Sequence, residues 1–198
     1  MKTCEANQDE WILEKFKDPG FAVDVGANDG VLLSNTLAAE TRGWRVLCIE
    51  ANPDYEKALR ASRKHVEICA CGSKPQQSAE FFVNDVFPPA GSALIKNGPE
   101  YRTIRVPVRR LDDLIEKHQF PRVDLLSVDV EHTELDVLKS IDLVYWSVKA
   151  IIVESLTAGY VGADEAKKFE SSLRDFLEPK GYICEGRTAE DLLFWRQP

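Results

Sequence analysis

No stretch of this sequence approaches the roughly 20 consecutive apolar residues that a membrane-spanning helix needs. Basic charge is also scarce: 25 lysines and arginines stand against 33 aspartates and glutamates, a net charge of −8. That balance repels phosphate backbones and argues against a nucleic-acid partner, although a local basic patch can overrule an average. There are three histidines, and the five cysteines (Cys4, Cys48, Cys69, Cys71 and Cys184) lack zinc-ligand spacing. Their closest pair, Cys69 and Cys71, is C-x-C rather than C-x-x-C, so buried reduced thiols are expected and a redox role is not. The N-terminal stretch Met1-Lys-Thr-Cys-Glu-Ala-Asn-Gln-Asp-Glu10 is polar and has no secretory apolar segment, which predicts a cytoplasmic protein. Linkers, repeats and low-complexity tracts are missing as well. The 198 residues can bury roughly 70% of their unfolded surface in one core, and a single domain over 1–198 is expected.

What the chain does have is alternation. Strand-length apolar runs at 21–25, 45–49, 66–69, 123–128 and 150–153 alternate with helical spacing at 9–17, 30–41, 53–62, 111–118, 133–140 and 164–178. Strands joined through helices run parallel with right-handed crossovers. Asn52 before Pro53 reads as an N-cap followed by the first helical residue, and Thr133 with Asp136 reads as a capping box. The runs at 182–185 and 192–195 lie close in sequence and should pair antiparallel.

Residues 72–110 break the rhythm with prolines and two further strands, 79–83 and 103–108. An irregular segment of that length is commonly functional. It is expected to cover the acceptor, with Phe81, Phe82, Phe87 and Ile95 as an apolar wall. Arg102, Arg105, Arg109 and Arg110 read either as a clamp for an acidic acceptor or, more simply, as a charged and solvated strand edge. Trp146 and Trp195 read as packing aromatics. His65 and His118 fall away from the functional edge.

Parallel sheets bind ligands beyond the carboxyl ends of their strands. The segment Asp24-Val-Gly-Ala-Asn-Asp-Gly30 follows the first strand, and Glu50 closes the second. A carboxylate at Glu50 can accept both hydroxyls of an adenosine ribose. A dinucleotide and S-adenosylmethionine both carry that ribose, and the glycine pattern separates them. The dinucleotide fingerprint needs glycine where this chain has Asn28 and Val31. No lysine or arginine is near the loop to meet a diphosphate, whereas Asp24, Asp29 and Glu50 suit a sulfonium cation. S-adenosylmethionine is therefore favoured over NAD.

The segments Val-Asp-Val-Gly-Ala-Asn-Asp-Gly (23–30), Cys-Ile-Glu-Ala-Asn-Pro (48–53), Leu-Asp-Asp-Leu-Ile (111–115), Ser-Val-Asp-Val-Glu-His-Thr-Glu-Leu-Asp-Val-Leu-Lys (127–139) and Ile-Ile-Val-Glu (151–154) resemble the FkbM-type class I methyltransferases, in the same order, over about 21–195. The resemblance implies an α/β, Rossmann-like fold: a seven-stranded, mostly parallel sheet with helices on both faces and a C-terminal antiparallel strand. It implies S-adenosyl-L-methionine as donor and O-methylation of a hydroxyl on a small molecule or glycan. It further implies that Asp24, Gly26, Ala27, Asn28 and Gly30 surround the methionine part of the donor. Glu50 would take the ribose between Ala51 and Asn52, Ala70 and Cys71 would edge the adenine, and Asp129 would face the methyl group. One departure stands out: the family reads Asp-Val-Glu-Gly where this chain reads Asp129-Val-Glu-His132.

An alcohol acceptor must shed a proton, so a base or a metal within reach is needed. Asp129, Glu131, His132 and Glu154 are the candidates at neighbouring strand ends. Either Asp129 or His132 is a general base, or Asp129 and Glu154, with Glu131, hold a divalent cation such as magnesium. The metal-free route is favoured. For Glu131 and Glu134 a helix-terminus role is also adequate. Two other classes stay in view: a catalytically silent S-adenosylmethionine-binding module, against which Asp129 and Glu50 count, and an NAD-dependent oxidoreductase, which the missing glycines disfavour.

Overall fold

The computed structural model describes residues 7–84, 101–155, 162–188 and 190–197. In chain order the strands are β1 (Phe21–Val25), β2 (Arg45–Glu50), β3 (His65–Ile68), β4 (Ala70–Cys71), β5 (Gln76–Asn84), β6 (Tyr101–Arg109), β7 (Leu125–Val128), β8 (Ala150–Glu154), β9 (Tyr182–Thr188) and β10 (Asp191–Arg196). The helices are α1 (Gln8–Lys15), α2 (Leu37–Thr41), α3 (Glu56–Ser62), α4 (Leu111–Lys117), α5 (Glu134–Leu138) and α6 (Ala163–Leu177).

A seven-stranded sheet has the order β3-β2-β1-β7-β8-β10-β9, and a three-stranded sheet the order β4-β6-β5. The first five strands of the larger sheet run parallel. β10 inserts antiparallel between β8 and β9. Alternate residues feed two cores, which is why these strands are apolar on both faces. Val23, Leu47, Leu126 and Ile151 pack on one side with Leu114 and Ile115 of α4, Val137 of α5 and Leu173 of α6. Ala22, Val46, Leu125 and Ile152 pack on the other with Ile12 of α1, Ala39 of α2 and Leu59 of α3. Each fully buried Leu or Ile contributes roughly 1.5–3 kcal/mol, so these faces fix the register.

Every strand expected from the sequence is present, and β5 and β6 are longer than expected and pair as antiparallel neighbours. Three helical expectations change. The helix expected from Gly30 starts only at Leu37. Before it, Asp29 Oδ1 accepts from the amides of Val31 and Leu32, both at 2.8 Å, and Ser34 Oγ accepts from the amides of Thr36 and Leu37. These local side-chain bonds compete with helix formation, and Leu33 adopts a left-handed φ of +58°. Val31, Leu32 and Leu33 are consequently 44%, 48% and 46% exposed.

The helix from Pro53 opens as a 3-10 turn, Pro53–Tyr55, with Asn52 Oδ1 accepting from the Asp54 amide as the N-cap reading requires. The capping box at Thr133 does not form. Asp136 accepts from the amide and hydroxyl of Ser73 instead, and α5 shortens to Glu134–Leu138.

Candidate active site

The registers Val25↔Ile49 and Val25↔Val128 bring the ends of β1, β2 and β7 level. The segments leaving these strands lock together. Gly26 and Ala27 donate backbone bonds to Ile49 at 2.9 and 3.1 Å, and the Asp129 amide donates to Val25 at 2.9 Å. At Gly26 (φ +89°) an added Cβ would lie 1.7 Å from the Asp129 carbonyl oxygen. At Gly30 (φ +81°) it would lie 2.6 Å from Arg63 Cγ and from Ser62 Oγ. Both glycines thus make room for the chain itself as much as for a ligand.

Arg63 is the hidden organiser of this loop. Its buried guanidinium donates to Gly30 O at 2.9 Å, Ser34 Oγ at 3.1 Å and Thr36 Oγ1 at 2.7 Å, and pairs with Glu40. Thr36 in turn donates its hydroxyl to Asp24. Burial raises the Asp24 pKa, outweighing the nearby Arg63 charge. Glu50 ties two loops together: Oε2 accepts from the Asn28 amide at 2.8 Å and Oε1 from the Asn52 amide at 2.7 Å. Each oxygen keeps a further lone pair, so this role coexists with a ribose contact. Burial raises the Glu50 pKa against those amides.

These segments surround a cleft of about 940 Å³, counting the solvent at its mouth. Asp24, Gly26, Ala27, Asn28, Glu50, Ala51, Ala70, Cys71, Asp129 and Glu131 line it; Gly30, Asn52, His132 and Glu154 lie outside its wall. Among the described residues the wall has no lysine or arginine. Residues the sequence reading missed also line it: Tyr55, Leu32, Leu33, Asn35 and Ser127. For Tyr55 the signal was its place one turn after the Asn52 cap. For Leu32 and Leu33 it was the Asp29 and Ser34 turn chemistry on either side.

Phe81 of β5 lines the cleft, whereas Phe82, on the opposite face of that strand, lines a separate groove with Arg105. Phe87 and Ile95 lie outside the described residues, as does Cys4. Cys48, Cys69, Cys71 and Cys184 are free thiols. Arg102 pairs with Asp54, Arg109 donates to Gln76 O, and Arg110 pairs with Asp112. None of these arginines lines the cleft. Trp146 donates to Asp112 and is buried, a packing role, while His118 pairs with Glu67 and does not line the cleft.

Beside the cleft the acidic groups crowd. One carboxylate oxygen each from Asp129, Glu131 and Glu154 lie within 4.8 Å of one another. Desolvation, only partial because Asp129 keeps an exposed side, and then the Glu131, Asp191 and Glu134 carboxylates raise the Asp129 pKa. Burial and the neighbouring Asp129, Glu134 and Glu131 do the same to Glu154. Burial pushes Glu134 up to about 7. Asp191, also missed by the sequence reading, is set opposite Glu154 by the β8–β10 register.

His132 sits at φ +81° directly after Glu131 at φ +57°, both in the left-handed region that favours glycine. The family glycine at this position therefore has a backbone reason, and the histidine carries strain. His132→Gly is expected to keep or raise stability, by up to about 1 kcal/mol, because relief of strain outweighs the extra chain freedom of glycine. His132→Ala, which keeps a Cβ, should show no such gain. Urea unfolding of both variants checks this, and a clear loss for the glycine variant alone would refute it.

The strand order and the acidic cleft at the ends of β1, β2 and β7 define a class I methyltransferase fold. The comparisons narrow this to a family. The methyltransferase FkbM domain model matches residues 24–184, and the chain belongs to that family, whose membership implies S-adenosylmethionine as methyl donor. Methyltransferase sdnD of Sordaria araneosa is 28% identical over 86% of this chain and 76% of its own length. Methyltransferase 1 of Beauveria bassiana (strain ARSEF 2860) is 33% identical over 42% of this chain and 31% of its own length. In fold the chain resembles the METTL16 MTase domain, with a TM-score of 0.53, 14% identity, and coverage of 96% of this chain and 66% of that one. It also resembles monomeric WbdD, with a TM-score of 0.52, 13% identity, and coverage of 96% and 39%. Among the described residues no helix is long and apolar enough to cross a membrane.

Proposed function

We propose that this chain is a single methyltransferase domain that methylates a hydroxyl group on a small molecule or glycan. The observation that carries the reading is the cleft whose described wall has carboxylates and no basic side chain, which suits a sulfonium and repels a diphosphate. In this reading Asp24, Gly26, Ala27 and Asn28 surround the methionine part of the donor, with Gly30 shaping the loop from behind. Glu50 takes the ribose, Ala51 flanks it with Asn52 bracing the turn, and Ala70 and Cys71 edge the adenine.

The acceptor oxygen attacks the donor methyl in line, the C–S bond breaks, and its electron pair returns to sulfur. The hydroxyl proton passes to the Asp129 carboxylate. A raised pKa makes Asp129 a stronger base than an ordinary carboxylate, with Glu131 and Glu154 setting its charge environment. His132, outside the cleft wall, is not the base in this scheme. The 72–110 segment covers the acceptor, a role supported by Phe81 reaching the wall from β5.

Calorimetric titration with S-adenosylhomocysteine, S-adenosylmethionine and NAD tests the reading, followed by turnover of labelled donor on a panel of hydroxylated acceptors. Binding of the first two and not of NAD is the expected result. NAD binding alone would overturn the donor assignment, and methyl transfer solely to nitrogen or carbon acceptors would overturn O-methylation.

A further inference from the structure

We propose that Arg63 is a positioning residue for the methyl donor: from outside the cleft, and through Thr36, it holds the Asp24 carboxylate ready for the ammonium group of the donor's methionine part. The inference rests on the donor reading above and adds what fixes one of its contacts. Arg63 follows directly on α3, and its side chain is 0% exposed. It is not part of the cleft wall, whereas Asp24, Ser34, Asn35 and Ser127 are.

The connection is a chain of directed hydrogen bonds. A guanidinium can only donate. One arm of Arg63 gives to Thr36 Oγ1 at 2.7 Å, so the single hydroxyl proton of Thr36 is left to go onward to Asp24 Oδ2. The other arm gives to Gly30 O at 2.9 Å and to Ser34 Oγ at 3.1 Å, and Nε gives to Glu40 of α2. A buried guanidinium–carboxylate pair is by itself a weak stabilising device, because desolvation offsets most of the attraction. Glu40 alone would satisfy the charge; the bonds to Gly30, Ser34 and Thr36 tie it to the back of the cleft.

Asp24 needs such a neighbour. It is buried, and burial favours the neutral acid; Arg63 is the largest influence in the other direction, followed by the bonds from Thr36 and Ser127, while Glu40 adds to the rise. The groups that face Asp24 are therefore Arg63 at the end of α3, Thr36 and Glu40 at α2, Ser127 of β7, and Cys48 and Glu50 of β2. Burial and the Asp24 charge keep the Cys48 thiol neutral. Arg63 is the one cation among these groups. Ionised, Asp24 offers an ammonium group a charge-assisted hydrogen bond, roughly twice as strong as a neutral one; protonated, it offers only the weaker kind. Donor affinity should then fall as pH drops through the Asp24 pKa, and Arg63 keeps that fall at low pH.

The test is calorimetric titration of the whole chain with S-adenosylhomocysteine, which carries the same ammonium group, from about pH 5 to 8. Arg63→Gln removes the charge and should move the acid fall in affinity to higher pH by about one unit, the lower end for losing a neighbouring opposite charge. One unit corresponds to about 10-fold weaker binding on the acid side. Thr36→Val removes the bridging hydroxyl and should shift the profile in the same direction. Glu40→Gln should shift it to lower pH, because a negative charge that opposes Asp24 ionisation is gone. Arg63→Lys keeps the charge without the fork and should recover much of the Arg63→Gln shift. A merely structural Arg63 would give weaker binding at every pH with the acid fall unmoved, and that result overturns the proposal. Should circular dichroism show Arg63→Gln unfolded, Thr36→Val and Glu40→Gln decide by their opposite directions, and shifts of the same sign overturn it. A wild-type chain that binds no S-adenosylhomocysteine at any pH sinks the donor reading and this inference together, whereas wild-type binding with unshifted variant profiles sinks this inference alone.

Discussion

Gly26→Ala should destabilise the chain by roughly 2–6 kcal/mol, combining left-handed backbone strain with overpacking. Domains are commonly stable by about 5–15 kcal/mol, so the variant should be at best partly folded at 37 °C. The reason is local and severe. The new Cβ would lie 1.7 Å from the Asp129 carbonyl oxygen and 2.8 Å from its carbonyl carbon, both backbone atoms, so no rotamer change can relieve the contact. Either the β1 loop or the β7 loop must move, and both belong to the cleft. Gly181→Ala is the control. Its φ of +87° is equally left-handed, but nothing lies within 4 Å of the added atom, so it should lose only about 1 kcal/mol. Urea unfolding of the pair separates strain from collision. Equal losses for both would mean that the contact with Asp129 relaxes freely.

That collision also shows where sequence reasoning succeeds and where it stops. Strand 21–25 was legible to the residue because its apolar run ends at a glycine, and β2, β3, β7 and β8 followed from the same alternation, whereas β4 was not read as a strand. Val31, Leu32 and Leu33 misled, because three apolar residues in a row promise a buried helix. Deciding otherwise required knowing that Asp29 and Ser34 would turn their side chains onto the local backbone. Arg63 was invisible as an organiser. Its partners Gly30, Ser34, Thr36 and Glu40 are more than twenty positions away, and no local pattern encodes such a pairing. The candidate site was read from strand ends: Asp24, Glu50, Asp129 and Glu154 were all picked out that way. Asp191 was missed because its place beside Glu154 depends on β10 inserting antiparallel next to β8. Glu134 was read as a helix-terminus residue. It does accept amides just before its helix, and only the fold reveals that its other oxygen is buried against Glu154.

For Asp129→Asn the expectation is a separation of function from stability. Methyl transfer should fall by roughly 10²–10⁴-fold, the usual range for removing a general base. Binding of S-adenosylhomocysteine should persist, because the amide is isosteric and Glu50 and the β1 loop are untouched. Stability near neutral pH should hold or rise. The sign follows from the raised pKa of Asp129 in the folded chain, caused by partial desolvation of this half-open carboxyl and by the neighbouring Glu131, Asp191 and Glu134 carboxylates. A carboxyl that holds its proton more tightly when folded than when unfolded costs stability as pH climbs above the unfolded value of 3.8. Asparagine carries no such cost, so the gap between variant and wild type should widen from pH 4 upward. A purely structural aspartate would behave the opposite way: its removal would lower the melting temperature and carry turnover down with it. Thermal unfolding from pH 4 to 8, set beside labelled-donor turnover and calorimetry on the same samples, distinguishes the two. Parallel losses of stability and turnover would remove Asp129 from the reaction centre.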